Sequence, residues 1–236
     1  MLLTLTASDS STGAGALADI QVAQQLTVPC QAVLIAVTAQ TNDAALAAYP
    51  LPLDIITSQY QAATATEQPQ VIRLGWLPFN EEFLSWLVES LNKTSALVLF
   101  DPVLAASQGS ALSQPEANAR VTDLFKQLLA RVDLLTPNYQ EAQQLSRWLL
   151  GKEIADEQEL AKQLQTLGKF HLLITGVGYS STRANDLIPA GYVADYFAFN
   201  SANPLGSQKL PNSSLLQEFY FTHKAVKASK HGTGCH

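Results

Sequence analysis

Cysteine, methionine and charged residues are scarce in this chain of 236 residues, which has two cysteines, one methionine and only 14% charged residues. Cys30 and Cys235 are too few and too far apart for the disulfide framework of a small secreted protein. No apolar run approaches the roughly 20 residues that a membrane-spanning helix needs, and the first residues lack the basic segment of a signal peptide. We therefore expect a soluble, cytoplasmic protein.

Two further absences narrow the function. An excess of basic residues is missing, since the net charge is −6, and this argues against a nucleic-acid or anionic-membrane partner. The phosphate-binding pattern G-x-x-x-x-G-K-[S/T] is also missing, so any phosphoryl transfer must use another phosphate cradle. Apolar residues make up 47% of the chain, which is enough for a sizeable buried core.

Short apolar runs that alternate with longer segments of helical periodicity predict an α/β fold. The predicted buried strands are Leu2–Ala7, Ala32–Val37, Val71–Leu74, Ala96–Phe100, Asp133–Leu135 and His171–Thr175. The predicted helices are Gly15–Leu26, Pro52–Ala65, Asn80–Leu91, Pro115–Leu129, Tyr139–Leu149 and Asp156–Leu167. After Gly176 we expect two antiparallel strands, Leu187–Phe197 and Leu215–Thr222, separated by the turn-rich segment Asn200–Asn212. The expected architecture is a three-layer α/β/α sandwich with a mainly parallel central sheet and antiparallel strands near its C-terminal edge.

The segment after the first predicted strand, Ser8–Gly15, is polar and rich in glycine. Loops at the carboxyl ends of parallel strands are where open α/β sheets bind ligands. Gly13–Ala18 matches the dinucleotide-binding pattern G-x-G-x-x-A. However, polar residues separate it from the strand and no acidic residue follows the second strand, so we do not expect NAD or FAD. The alternative is a plain connection that Ser10 or Thr12 caps, with Asp19 exposed on the helix.

Motifs at the ends of the predicted strands follow one another in a distinctive order. They are Asp-Ser-x-x-Gly-Ala-Gly-x-x-Ala-Asp at 9–19, Thr-Ala-Gln-Thr-Asn at 38–42, Asp-Pro-Val at 101–103, Thr-Pro-Asn-x-x-Glu at 136–141 and His-Gly-Thr-Gly-Cys at 231–235. In this order, and over nearly the whole chain, the sequence resembles the hydroxymethylpyrimidine/phosphomethylpyrimidine kinases of thiamine biosynthesis, within the ribokinase-like superfamily.

The resemblance implies an ATP- and Mg²⁺-dependent phosphotransferase that acts on hydroxymethylpyrimidine or its monophosphate, is a homodimer and binds neither nucleic acid nor membrane. The residues that it assigns to catalysis are Cys235, Gly232, Thr233 and Gly234, and those that it assigns to the substrate are Asp19, Gln40, Trp76 and Val103. It assigns Asn138 and Thr175 to the nucleotide, and Asp101 and Glu141 to the metal side.

The His231–Cys235 segment suits phosphoryl transfer, which needs fixed donors for the charge on the transferred group. Backbone amides of Gly232, Thr233 and Gly234 at a helix N-terminus would form an anion hole. The pKa of Cys235 would be lowered there, so its thiolate could take the proton of the substrate hydroxyl. The alternative is that Cys235 is an inert buried thiol.

Other assigned residues have alternatives of their own. Asn138 could cap the helix that starts at Tyr139, as well as or instead of contacting phosphate. Glu141 could be a solvated glutamate in the first turn of that helix, while Asp19 and Gln40 could serve the fold without a ligand.

The sequence departs from the family pattern in three places. Gly75-Trp76 stands where the family has Gly-Met, and Thr175 stands where it has the lysine of a Lys-Gly-Gly segment. Pyridoxal kinases are similar to this chain in carrying a residue other than lysine at the position of Thr175. The chain also stops at His236, before the family's closing helix, so we expect 1–236 to be a single ribokinase-like domain that lacks its C-terminal helices. These departures keep two alternatives open, a pyridoxal/pyridoxine kinase and a pyrimidine-binding homologue with impaired catalysis.

Overall fold

The structure is a computed structural model that describes residues 1–40, 45–104, 118–177, 192–203 and 218–224. The described residues up to Arg131 form one compact unit, the N-terminal unit, and those from Val132 onward form a second, the C-terminal unit. In the parts of the chain just named, no helix is long and apolar enough to cross a membrane.

A mainly parallel sheet forms the centre of the N-terminal unit. Its strands are β1 (Leu2–Asp9), β2 (Cys30–Gln40), β3 (Ala45–Pro50), β4 (Val71–Leu74) and β5 (Leu97–Phe100). Their order is β3-β2-β1-β4-β5, and only β3 runs antiparallel to its neighbour. The helices of this unit are α1 (Gly15–Gln25), α2 (Leu53–Thr64), α3 (Glu81–Asn92) and α4 (Ala119–Leu129).

Antiparallel strands characterise the C-terminal unit. Its strands are β6 (Leu134–Leu135), β7 (His171–Ile174), β8 (Tyr192–Ala198) and β9 (Glu218–Lys224), in that order. β6 and β7 are parallel, whereas β8 and β9 are each antiparallel to the preceding strand. Its helices are α5 (Tyr139–Leu150) and α6 (Glu157–Leu164), and a 3₁₀ turn over Gln165–Leu167 follows α6.

Apolar side chains at helical spacing fix how α3 and α4 pack. The buried residues of these two helices are Phe83, Leu84, Leu87, Val88 and Leu91 on α3, and Val121, Leu124, Phe125, Leu128 and Leu129 on α4. They recur three or four positions apart, which places them on one face of each helix. Phe125 lies with its ring centroid 5.3 Å from that of Phe79 and 5.9 Å from that of Phe100. This core fixes β5 and the residues that follow it.

The predicted α/β class, with a mainly parallel sheet and antiparallel strands at the edge, is confirmed. The predicted strands and helices are found within a few residues of the expected bounds, except that 115–117, 187–191 and 215–217, with 204–212 of the turn-rich segment, lie outside the described residues. β3 was not predicted. Its sequence Ala-Leu-Ala-Ala-Tyr-Pro is poor in β-branched residues, and it becomes a strand through antiparallel pairing with the end of β2.

The ends of β1, β4 and β5 meet at one edge of the N-terminal unit's sheet. Hydrogen bonds continue the ladder just past β4 and β5, since Gly75 donates its N–H to the Leu5 carbonyl at 3.0 Å and Asp101 donates to the Leu74 carbonyl at 2.9 Å. Trp76 follows Gly75 directly, and Val103 lies two residues after Asp101. This edge is therefore where the sequence places its candidate substrate residues.

Candidate active site

The turn between β1 and α1 positions the first candidate residue, Asp19. Ser11 donates hydrogen bonds to Asp9 Oδ1 from its N–H and its hydroxyl, both at 2.8 Å. Gly15 has φ +66°, and a Cβ there would lie 2.3 Å from the Ala7 carbonyl oxygen, so this position requires glycine. Residue Ala14 precedes α1 and no side chain caps the helix. The alternative of a helix that Ser10 or Thr12 caps is therefore wrong.

Asp19 is held on α1 by two donors from the sheet. Thr4 Oγ1 donates to Asp19 Oδ2 at 2.5 Å, and Arg73 Nη1 donates to the same oxygen at 3.2 Å. Thr4 and Arg73 are partners in the parallel register of β1 and β4, so their side chains lie next to each other on one face of the sheet. The expected alternative of an exposed Asp19 is wrong, because its side chain keeps only 19% of its accessible surface.

The guanidinium of Arg73 also binds a second carboxylate. Arg73 Nη2 donates to Asp101 Oδ2 at 2.8 Å, so one arginine joins α1 to the residue that follows β5. We call Thr4, Asp19, Arg73 and Asp101 the Arg73 cluster. It brings together two residues that the resemblance assigned to different roles, Asp19 to substrate and Asp101 to metal.

The electrostatics of the Arg73 cluster depend on partial burial. Burial raises the pKa of Asp101, the positive charge of Arg73 lowers it, and the carboxylate of Asp19 raises it further. Burial is the largest of these effects, so the net shift is upward. Arg73 thus offsets only part of the cost of holding two carboxylates close together.

Reasoning from the sequence missed Arg73, although a signal was present. In Val71-Ile72-Arg73-Leu74 the arginine is the one charged residue of a strand whose Ile72 and Leu74 are completely buried. A cation in such a strand needs charged partners, because an unpaired charge is costly to bury. Asp19 and Asp101 were already candidates, and Arg73 could have been matched to them.

Trp76 is the second residue after β4 and is buried, with 6% of its surface exposed. Its indole Nε1 has no hydrogen-bond partner among the described residues, which is unusual for a buried donor. Val103 is partly buried and donates its N–H to the Asp101 carbonyl at 3.0 Å. Gln40 ends β2, and its side chain lies outside the described part of the structure.

The C-terminal unit brings Asn138, Glu141 and Thr175 together. Asn138 Oδ1 accepts a hydrogen bond from the Glu141 N–H, and Glu141 Oε2 accepts one from the Asn138 N–H, both at 2.9 Å. This capping box confirms that Asn138 caps α5. The backbone of Thr175 bonds to the two neighbours of Asn138. Its N–H donates to the Pro137 carbonyl, and its carbonyl accepts from the Tyr139 N–H. Glu141 is 8% exposed, so the alternative of a solvated glutamate is wrong.

Asp195 on β8 reaches the residue after Thr175, and it was not predicted. Its Oδ1 accepts a hydrogen bond of 2.9 Å from the Gly176 N–H. Gly176 has φ +68°, a conformation that favours glycine. This contact holds the chain where the family pattern has its lysine-glycine-glycine segment.

The two carboxylates assigned to the metal side lie in different units, Asp101 in the N-terminal and Glu141 in the C-terminal one. Among the described residues, no group of three or more His, Cys, Asp or Glu side chains is arranged to hold a metal ion. Mg²⁺ commonly keeps several waters and takes only one or two carboxylates plus phosphate oxygens. Asp101 and Glu141 are carboxylates of the kind that a hydrated Mg²⁺ takes, and their role at the metal stays a prediction.

The four residues assigned to catalysis, Gly232, Thr233, Gly234 and Cys235, lie outside the described residues. Their roles remain predictions.

A model of the phosphomethylpyrimidine kinase family matches residues 9–202, which include the Arg73 cluster members Asp19, Arg73 and Asp101 and the Asn138–Glu141 capping box. The chain belongs to this family. The resemblance that the strand-end motifs indicated is thereby confirmed.

Individual relatives agree with this assignment. The hydroxymethylpyrimidine/phosphomethylpyrimidine kinase of Haemophilus influenzae is 33% identical over 190 residues, which are 79% of this chain and 67% of that protein. The probable thiamine biosynthetic bifunctional enzyme, chloroplastic, of Oryza sativa subsp. japonica is 29% identical over 238 residues, covering 99% of this chain and 38% of its own length. The chain spans between 33% and 63% of the first three curated relatives that it matches.

Solved structures show the same fold. The phosphomethylpyrimidine kinase of Clostridium difficile 630 superposes with a TM-score of 0.69 at 24% identity, covering 95% of this chain and 84% of that one. The pyridoxal kinase of Staphylococcus aureus in complex with AMP-PCP has a TM-score of 0.66 at 27% identity, with coverages of 85% and 68%.

Proposed function

We propose that this protein transfers the γ-phosphate of ATP to the hydroxymethyl group of hydroxymethylpyrimidine, and to the phosphate of the resulting monophosphate. The observation that carries the proposal is the way in which Asp19 is held. Both of its donors bind Oδ2, and Oδ1 has no partner among the described residues. A fixed carboxylate oxygen at a ligand-binding sheet edge suits the exocyclic amine of an aminopyrimidine. The family match and the relatives named as hydroxymethylpyrimidine/phosphomethylpyrimidine kinases support the same substrate.

Other residues of the N-terminal unit complete the proposed substrate site. Gln40 at the end of β2 supplies an amide that pairs with a ring nitrogen, and Val103 supplies an apolar contact. Trp76 supplies a large ring whose Nε1 donor lacks a partner among the described residues. Because indole is bulkier than the methionine side chain of the family pattern, Trp76 narrows the choice of heterocycle.

The nucleotide belongs to residues of the C-terminal unit. The backbone of Thr175 bonds to Pro137 and Tyr139, on either side of Asn138, so Thr175 and Asn138 lie side by side. The S. aureus pyridoxal kinase structure that contains AMP-PCP supports a nucleotide site in this fold. When bound, Mg²⁺ would neutralise charge on the transferring phosphate, and Asp101 and Glu141 are each proposed as a carboxylate for the ion or its waters.

Cys235 is the proposed general base. As the thiolate, it takes the proton of the substrate hydroxyl while that oxygen attacks the γ-phosphate, and the amides of Gly232, Thr233 and Gly234 stabilise the charge on the phosphoryl oxygens. This assignment is supported by the His-Gly-Thr-Gly-Cys motif of the family. Homodimer formation stays a prediction of the resemblance, and a cytoplasmic location stays a prediction from the composition and the first residues.

An ATP-coupled assay with hydroxymethylpyrimidine and pyridoxal as competing alcohols tests the substrate. We expect ADP to form faster with the pyrimidine. Faster turnover of pyridoxal would contradict the proposal and favour a pyridoxal kinase, which Thr175 in place of lysine supports. Pyrimidine binding by calorimetry without any ADP formation would instead indicate a binding protein that has lost transfer.

A further inference from the structure

Arg73 makes a bridging contact that the proposed function leaves unexplained. Among the ion pairs of the described residues, it is the arginine that contacts two carboxylates, at 3.2 Å to Asp19 and 2.8 Å to Asp101. All three side chains are between 19% and 26% exposed. The pairs are therefore shielded from solvent more than a surface ion pair such as that of Arg120 with Glu81, whose side chains are over half exposed.

The bridge leaves one oxygen on each carboxylate. Arg73 binds Oδ2 of Asp19 and Oδ2 of Asp101 through its two terminal nitrogens, and no other residue of the described chain binds either Oδ1. Thr4 donates to the same Asp19 oxygen as Arg73 does. Each carboxylate thus receives one terminal nitrogen of the planar guanidinium, and the set angle between the two nitrogens fixes where Asp19 Oδ2 and Asp101 Oδ2 lie relative to each other.

The backbone makes room for this guanidinium at Gly75. A Cβ at Gly75 would lie 2.4 Å from Arg73 Nη1 and 2.3 Å from Thr6 Oγ1. Arg73 Nη1, the nitrogen that binds Asp19, therefore lies where a side chain at residue 75 would begin, and the absence of a Cβ at Gly75 leaves room for it. The glycine of Gly75-Trp76 is matched to the position of Arg73, and the contact to Asp19 depends on both.

We propose that Arg73 is the positioning residue of the pyrimidine site, and that it acts through Asp19. It orients Asp19 Oδ1 toward the substrate amine. Its positive charge also brings the net charge of the group formed by Asp19, Asp101 and Arg73 to −1, compared with −2 for the two carboxylates alone. This inference rests on the proposed function, since it assumes that Asp19 binds the pyrimidine. Arg73 does not touch the substrate, and its contribution is orientation of the group that does.

A double-mutant cycle tests the proposal. Hydroxymethylpyrimidine binding is measured by calorimetry without ATP or Mg²⁺, so that any effect through Asp101 on a metal does not enter. Arg73→Ala should weaken binding by roughly tenfold or more, the range for losing a charge-assisted hydrogen bond that orients a binding group. Asp19→Ala should weaken it at least as much. The double variant should bind no more weakly than Asp19→Ala alone, because Arg73 has nothing to orient once Asp19 is gone.

Matched variants separate positioning from general stability. Arg120→Gln removes an exposed ion pair and should leave binding unchanged. Arg131→Lys disturbs an arginine whose acceptors among the described residues are the carbonyls of Leu91 and Thr94, so it should change stability without changing pyrimidine affinity. Arg73→Lys should recover part of the affinity that Arg73→Ala loses.

Three outcomes overturn the inference. Additive losses in the double variant would show that Arg73 does not act through Asp19. Wild-type affinity in Arg73→Ala would show that it does not position the site. If Arg73→Ala does not fold, Arg73→Lys decides, and an affinity within about twofold of the wild type would overturn the proposal. A wild-type protein that binds no pyrimidine would refute the proposed function itself.

Discussion

Replacing Gly75 by alanine should weaken both the fold and the substrate site, and the size of the effect follows from two distances. The new Cβ would lie 2.3 Å from Thr6 Oγ1 and 2.4 Å from Arg73 Nη1, whereas non-bonded heavy atoms rest at roughly 3.5 Å or more. Both neighbours must therefore move by about 1 Å. Overpacking of this kind costs about 1–3 kcal/mol, which lowers the melting temperature of a protein of this size by about 2–4 °C per kcal/mol.

The direction of movement sets the second part of the prediction. Thr6 is held in the central strand β1 and is buried, so the flexible end of Arg73 gives way more easily. Its Nη1 then leaves Asp19. We expect Gly75→Ala to weaken pyrimidine binding toward the level of Arg73→Ala, when both are measured by calorimetry.

Gly151→Ala is the matched control for stability. Gly151 follows α5 with φ +66°, and a Cβ there meets nothing within 4 Å. Its cost is the left-handed conformation alone, about 1–2 kcal/mol. The two variants should lose comparable thermal stability, but only Gly75→Ala should lose pyrimidine affinity. Wild-type affinity in Gly75→Ala, or an equal loss in Gly151→Ala, would contradict the link between Gly75 and the contact of Arg73 with Asp19.

Two predictions concern the C-terminal unit. Glu157 is fully buried, its Oε1 accepts a 2.5 Å hydrogen bond from the Tyr220 hydroxyl, and its Oε2 has no partner among the described residues. Tyr220→Phe should therefore lower the free energy of unfolding by about 1–3 kcal/mol in denaturant titrations, while Tyr192→Phe on the exposed end of β8 should change it little. Burial lowers the pKa of His171, partly opposed by Asp133, and His171 Nδ1 accepts a hydrogen bond from the Asn200 N–H. Because His171 binds its proton at a higher pH in the unfolded state than in the folded state, the free energy of unfolding should fall as the pH drops below the ordinary histidine pKa of about 6.5. His171→Phe, which keeps an aromatic ring against Phe199, should show a smaller fall; the same pH dependence in both proteins would contradict this.

The strands and helices that the sequence predicted are those with strong local signals. α3 and α4 carry apolar residues at helical spacing, and Asn138 caps α5 as expected from its position before Tyr139. β3 gave no such signal, because alanine and proline disfavour strands and its pairing with β2 is a tertiary effect.

The candidate site was predictable in part. The motifs named Asp19, Asp101, Asn138 and Glu141, but the contacts among them depend on groups from separate elements. Arg73 contacts Asp19, 54 residues before it, and Asp101, 28 residues after it. Asp195 on β8 contacts Gly176, 19 residues before it. The spacing of residues along the chain does not predict such contacts. A single arginine in a buried strand does indicate that it has charged partners.

Identifying the product tests whether the protein transfers a phosphoryl group to a pyrimidine alcohol with Cys235 as the base. Protein, ATP, Mg²⁺ and hydroxymethylpyrimidine are incubated together, and phosphorylated pyrimidine is quantified by mass spectrometry for the wild type and for Cys235→Ala. We predict phosphorylated pyrimidine in step with ADP, and a loss of roughly a hundredfold in the rate of Cys235→Ala. ADP without phosphorylated pyrimidine would contradict transfer to the pyrimidine. A near-normal rate in Cys235→Ala would contradict the role of Cys235 as the base.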